Sequence, residues 1–200
     1  MPLTITTKGG LVTRDVDLLA GMAARGRLVR VYMSVSTLDA ALSRTMDPRA
    51  TSPARRLEAI RTLAGAGVPV GVFSSPMIPA LNDDELEPIL EAAAEAGATY
   101  ASYSVLRLPL EVRDLFVEWL HAHFPDRAAR VMAQVRAMRH GKDYDADFGA
   151  RMRGTGTYAD ALAQRFRAAR ARLALKPLDT DFDTTLFRPP ARDDGQASLF

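Results

Sequence analysis

The 200 residues contain no cysteine. Within this chain that excludes disulfides, a thiolate-held zinc site and an iron–sulfur cluster carried on cysteine ligands. No apolar run reaches the roughly 18 residues that a membrane-crossing helix needs. The first residues carry no apolar stretch behind a basic one, so no secretory signal is read and a cytoplasmic location is expected. Aromatic residues are sparse at 7%, with one Trp, but hydrophobic residues make up 48%, ample for a core.

What is present is unevenly charged. The net charge is +2, yet residues 1–135 carry 14 Lys+Arg against 15 Asp+Glu, residues 136–176 carry 10 against 4, and residues 177–200 carry 2 against 5. A basic segment followed by an acidic tail points to a polyanionic partner, or to no more than a solvated helical face.

Residues 3–7 (LTITT), 28–36 (LVRVYMSVS), 69–75 (PVGVFSS) and 98–106 (ATYASYSVL) read as buried parallel strands. Amphipathic helices separate them. Thr13 is placed to cap the first. Ser52-Pro53 opens the next and Gly67 ends it. Asn82 with Glu85 has the form of a capping box for a helix ending at Gly97, with Pro88 forcing a kink or a short first turn. Repeated βα units imply a parallel sheet with right-handed crossovers. After Pro109 the pattern is helical only. Val112, Leu115, Phe116, Trp119 and Leu120 share one face, Pro125 opens a second helix, and a third spans about 158–173. From Pro177 onward the composition is that of a disordered tail. The first strand begins two residues after Met1, so either it is a sheet edge or further strands precede it.

Ligands of parallel α/β folds bind at the C-terminal ends of the strands. Those ends carry Thr7 and Lys8, then Ser34, Ser36 and Thr37, then Ser74 and Ser75, then Arg107. Hydroxyls and cations there suit a carboxylate, ribose or phosphate. SSPMIPALNDDE (74–85) holds Met77 and Ile78 on a proline-restricted path that offers an apolar wall to a flat base. Arg107 suits an anion, or else pairs with Glu111. His121, His123 and His140 lack metal-ligand spacing. RMRGTGTY (151–158) has a Gly-x-Gly before a helix, which suits either a phosphate or a simple turn. Tyr32, Tyr100 and Tyr103 are candidates for radical transfer or plain core residues.

TTKGGLVTRDVDLL, MSVSTLDAALSRTMDPRATSPARRLEAI, SSPMIPALNDDELEPIL, VLRLPLEV and GKDYDADFGARMRGTGTYA resemble successive blocks of the radical S-adenosylmethionine proteins related to spore photolyase, over about residues 3–175. The resemblance implies an α/β fold: the C-terminal part of a partial TIM-like barrel of six βα units, about four parallel strands here (1–109), then a helical extension (110–176) and a disordered acidic tail (177–200). It implies S-adenosylmethionine and a [4Fe–4S] cluster as cofactors, with the cluster cysteines absent from this chain and expected upstream of it. It places Lys8, Ser34, Ser36, Pro76, Met77 and Ile78 at the cofactor and Arg107, Arg151 and Arg153 at the substrate. Asp47 stands where the family pattern leads one to expect Glu, and Ser74-Ser75 where it is more apolar. The ending QASLF is similar to the peptide by which repair proteins dock on the replication sliding clamp, through Gln196, Leu199 and Phe200, with Ala197 weakening the match.

The function so implied is lyase-type DNA lesion repair by 5′-deoxyadenosyl radical chemistry, which this chain cannot initiate alone. A non-enzymatic DNA-associated module, using the basic helices and the clamp-docking tail, is one alternative. An unrelated small-ligand α/β enzyme using the same rim is the other.

Overall fold

The computed structural model describes residues 2–178 and 181–186. Four strands form one open sheet: β1 (Leu3–Thr7), β2 (Val29–Ser34), β3 (Val70–Met77) and β4 (Tyr100–Val105), all parallel and adjacent in chain order. Each was legible as a Val-, Thr- and Tyr-rich run; the observed limits move by a few residues at most. Among the described residues seven α-helices accompany them: α1 (Val16–Ala24), α2 (Ala40–Met46), α3 (Pro53–Gly65), α4 (Leu86–Glu95), α5 (Val112–His123), α6 (Pro125–Ala137) and α7 (Thr157–Arg172).

Strand order equal to chain order, combined with right-handed crossovers, puts the connecting helices on one face of the sheet. Alternating side chains then divide the faces. Val29, Val31 and Met33 of β2, Val70 and Val72 of β3 and Ala101 of β4 pack under α1, α3 and α4 in the main core. Thr4, Thr6, Tyr32, Ser34, Phe73, Ser75, Ser102 and Ser104 occupy the other face. The arrangement is a section of a βα barrel wall with a hydroxyl-rich inner side.

Gly71 shows how tightly that inner face is built. A Cβ there would lie 2.8 Å from both the Tyr32 ring and the Tyr100 Cβ, so only glycine lets the two tyrosines close over β3. Gly97, at φ +100°, ends α4, and a Cβ would meet the Ala64 Cβ at 2.7 Å.

Several local expectations are corrected. Thr13 caps no helix; it lies in a 3-10 segment, Gly10–Asp15, with its hydroxyl on the Gly10 carbonyl. Asn82 and Glu85 form no capping box, because both side chains are drawn to the end of β2 instead. The first turn before α4 is a short 3-10 piece, Asp83–Glu85, which keeps Pro88 near the start of the helix where its missing N–H is tolerated. Ser52 and Pro53 do open α3, and Pro125 opens α6.

The segment after β4 packs back on the sheet. Phe166 of α7 meets Tyr103 at 4.7 Å between ring centroids, and Arg165 and Arg172 bond Glu87 and Glu91 of α4. A second core above the strand ends joins Leu42, Ile78, Leu106 and Leu108 to Leu120, Val131 and Met132 of α5 and α6. Asp143 ties those two helices together, accepting from Arg113 Nε at 2.8 Å and Arg136 Nε at 2.6 Å. Lys176 pairs with the start of β4. Further on, Asp181 bonds Arg27 at 2.6 Å and Phe182 lies 4.6 Å from the Arg30 guanidinium.

Candidate functional site

Lys8 follows β1 directly, and the Thr7 hydroxyl fixes the turn by accepting from Gly9 N at 2.9 Å. The Lys8 ammonium lies 2.7 Å from each carboxylate oxygen of Asp47, the residue that ends α2. Behind Asp47 stands Arg56 of α3, 1% exposed. Its Nη2 is 3.7 Å from Asp47, its Nε donates to Thr51 O at 2.6 Å and its Nη1 to Ser34 O at 3.0 Å. Burial pulls the Arg56 pKa below its ordinary value, and the Asp47 carboxylate opposes that pull. One buried guanidinium thus ties together the ends of β2, α2 and, through Asp47, β1.

The next two strand ends are held as firmly. Ser34 Oγ donates to Ser75 O at 3.2 Å, and the Ser75 and Ser104 hydroxyls are 2.5 Å apart. Ser36 is fully buried and its hydroxyl has no partner among the described residues. Its carbonyl accepts from Asn82 Nδ2 at 2.6 Å, and the same amide donates to Pro76 O at 3.0 Å. Glu85 accepts from the Thr37 hydroxyl at 2.5 Å and from Leu38 N at 2.6 Å. The Ser75–Pro76 peptide is cis. Met77 turns its side chain into the main core and Ile78 into the second, so this loop offers the rim its main chain, Pro76 and one edge of Ile78.

Two cavities meet at Lys8 and Pro76. A hollow of about 300 Å³ is lined by Thr6, Thr7, Ser34, Phe73 and Ser75. A groove of about 260 Å³ runs to Phe116 and Trp119 of α5 and is mostly apolar. Trp119 is anchored by its Nε1 donating to Thr45 O at 3.0 Å. A hollow with Lys8 and several hydroxyl-bearing residues at its edge, beside an apolar slot, suits a molecule with a carboxylate or ribose at one end and a flat ring at the other.

Arg107 borders neither cavity. It does not pair with Glu111; its Nη2 lies 3.4 Å from the Tyr144 hydroxyl and its Nη1 3.7 Å from Met152 Sδ. Lys8, Ser36 and Arg107 therefore do not converge on one point. Arg151 stacks on Phe148 at 4.4 Å, and Arg153 on Tyr103 at 4.0 Å. Tyr158, after the Gly-x-Gly, donates to the Asp83 carboxylate, and burial together with that bond pushes its pKa up to about 12. Of the basic residues at 136–176, Arg136, Arg165 and Arg172 are paired with carboxylates. Gln196, Leu199 and Phe200 lie outside the described residues.

Arg56 and Arg139 escaped the sequence reading, and each left a signal. Arg56 shares the buried face of α3 with Ala59, Ile60 and Leu63. Arg139 continues the buried Met132 and Val135 series just past the end of α6. A cation on an apolar stripe marks a buried network.

Residues 1–93 match the Radical SAM superfamily. An uncharacterized protein of Mycobacterium tuberculosis is 34% identical over 131 residues, which is 64% of this chain and 38% of that protein. A protein of Methanocaldococcus jannaschii is 32% identical over 83 residues, 42% of this chain and 30% of that one. Among solved structures, a spore photoproduct lyase mutant superposes with a TM-score of 0.54 at 16% identity, covering 88% of this chain and 50% of that one. Another, with bound AdoMet and dinucleoside spore photoproduct, gives a TM-score of 0.53 at 17% identity. The chain spans 38% of the mycobacterial relatives' length and half of the lyase's. It resembles radical SAM enzymes, in sequence over its first 93 residues and in fold over most of its length. The more particular likeness is to spore photoproduct lyase, as the five sequence blocks implied.

S-adenosylmethionine fits this rim. The Lys8 ammonium with the neighbouring hollow, and the apolar groove, correspond to its polar and flat parts. A [4Fe–4S] cluster does not fit, because no cysteine is present to hold it.

Proposed function

We propose that the chain contributes the S-adenosylmethionine-binding rim and part of the substrate side of a radical enzyme that repairs DNA lesions. The observation that carries this reading is the meeting of the hollow and the apolar groove at Lys8 and Pro76, two residues inside the stretch that matches the Radical SAM superfamily. Bound S-adenosylmethionine supplies a 5′-deoxyadenosyl radical when a reduced iron–sulfur cluster is provided by other residues. Within the chain, Lys8 presents a cation to the cofactor's carboxylate, while Asp47 and Arg56 fix its direction. Ser34 supplies a polar group, Ser36 supports that strand end from the interior through its carbonyl bond with Asn82, Pro76 and Ile78 form the wall beside the ring, and Met77 stiffens that wall from below. Arg107, Arg151 and Arg153 face a DNA substrate. Gln196, Leu199 and Phe200 form a weak clamp-docking end.

Equilibrium dialysis of the folded chain with labelled S-adenosylmethionine tests the cofactor part. Saturable binding, weakened about tenfold or more by Lys8→Ala, is expected. Indifference to that substitution, or tighter binding of a phosphosugar, favours an unrelated small-ligand site.

A further inference from the structure

Seven arginines, Arg14, Arg27, Arg61, Arg113, Arg136, Arg165 and Arg172, each pair with a carboxylate at 2.5–2.8 Å. The group around the end of β4 differs. Arg139 is 2% exposed and, among the described residues, donates to carbonyls: Ala150 O at 2.8 Å, Arg151 O at 2.9 Å and Leu106 O at 3.0 Å. Arg107 has only the two long contacts already described, and its buried Nε has no acceptor among the described residues. The buried Nε of Arg151 has none either. The nearby acids are engaged elsewhere. Asp143 holds Arg113 and Arg136, Asp145 accepts from Asp147 N at 3.0 Å, and Asp147 accepts from Ala150 N at 2.9 Å. Burial lowers the Arg139 pKa, Asp145 opposes this, and the neighbouring Arg107 charge lowers it further.

Like charges gathered with unfilled donors favour an anion between them. Beside them Phe148 is 80% exposed, with Arg151 on one face of its ring. An exposed ring next to guanidinium groups matches the pairing by which single-stranded nucleic acid is held, with phosphate on the cations and base on the ring.

We propose that the loop from Asp143 to Arg153, with Arg107, is a nucleotide seat: Arg107 and Arg151 take one backbone phosphodiester and Phe148 stacks the unpaired base beside it. Arg139 is the positioning residue that holds the loop to the end of β4. The proposal rests on the nucleic-acid part of the function above.

The test is fluorescence anisotropy of the full chain with labelled oligothymidylate, the matching duplex and an abasic oligomer of equal length. Arg107→Gln and Arg151→Gln are expected to weaken all three by about tenfold and to lower the salt slope by about one. Phe148→Ala, at an exposed position, is expected to weaken oligothymidylate about tenfold and leave the abasic oligomer unchanged. Arg127→Gln on α6 serves as the distant control. If the parent binds nucleic acid but these variants bind as it does while Arg127→Gln weakens, the seat is wrong and the DNA reading stands. If the folded parent binds none of the three at low salt, the DNA reading itself is overturned.

Discussion

Asp47 holds the Lys8 ammonium by both of its oxygens at 2.7 Å, while its other side faces the buried Arg56 guanidinium. The carboxylate therefore has two duties, aiming one exposed cation and compensating one buried one. Asp47→Asn removes both. The expected loss is about 1–2 kcal/mol of stability in urea unfolding. Arg56→Ala, which also abandons the carbonyls of Ser34 and Thr51, is expected to cost about 3 kcal/mol or more. Equal, negligible losses from both would remove the network from the account of the rim.

Gly71→Ala drives a methyl group into Tyr32 and Tyr100, each already at 2.8 Å from the position it would take. A destabilisation of about 2–3 kcal/mol is expected, seen as a lower denaturant midpoint. Gly65→Ala is the contrast. It lies at the end of α3 with nothing within 4 Å, and it should stabilise by about 0.5 kcal/mol.

Asp143 makes stability fall in acid. Its bond to Arg136, helped by Arg113, holds its carboxyl below the usual carboxylate range. Its contribution is complete above the unfolded value near pH 4 and is lost as pH falls from there through the lower folded value. Asp143→Asn should flatten that part of the stability profile, measured by thermal melts across pH 2–6. A profile of unchanged slope would show that the clasp between α5 and α6 contributes nothing there.

Tyr158 gives the opposite limb. Its folded pKa of about 12 lies above the ordinary value of 10.0. The group stabilises the fold below about pH 10, and that contribution is lost as pH rises toward 12. In an ultraviolet phenolate titration Tyr158→Phe should remove a late-ionising tyrosine. Loss of one that titrates near pH 10 would contradict the buried bond to Asp83.

Much of this was open to reading in one dimension. The limits Leu3–Thr7 for β1, the Pro53 and Pro125 helix starts, and the α5 stripe came from local rules. A β-branched run, a ring-locked φ and a helical period are properties of neighbouring residues. The five sequence blocks carried the likeness to radical SAM proteins for the same reason, since motif order is linear. Asn82 and Glu85 mark where this stopped: their spacing describes a cap, yet Asn82 bonds Ser36 O and Glu85 bonds Thr37, across the sheet.

The sequence by itself determined a parallel, barrel-like α/β fold, the placing of Lys8, Ser34, Ser36 and Pro76 at or just past strand ends, and the lack of any cysteine for a cluster. Only the tertiary structure decided that Asp47 and Arg56 stand behind Lys8, that Met77 faces the core, and that Arg107 turns from the rim to a loop 37 to 45 residues away in the chain. The physical reason is that a buried charge or amide bonds to whichever acceptor the packing brings near. Nothing local in the chain encodes which strand end that will be.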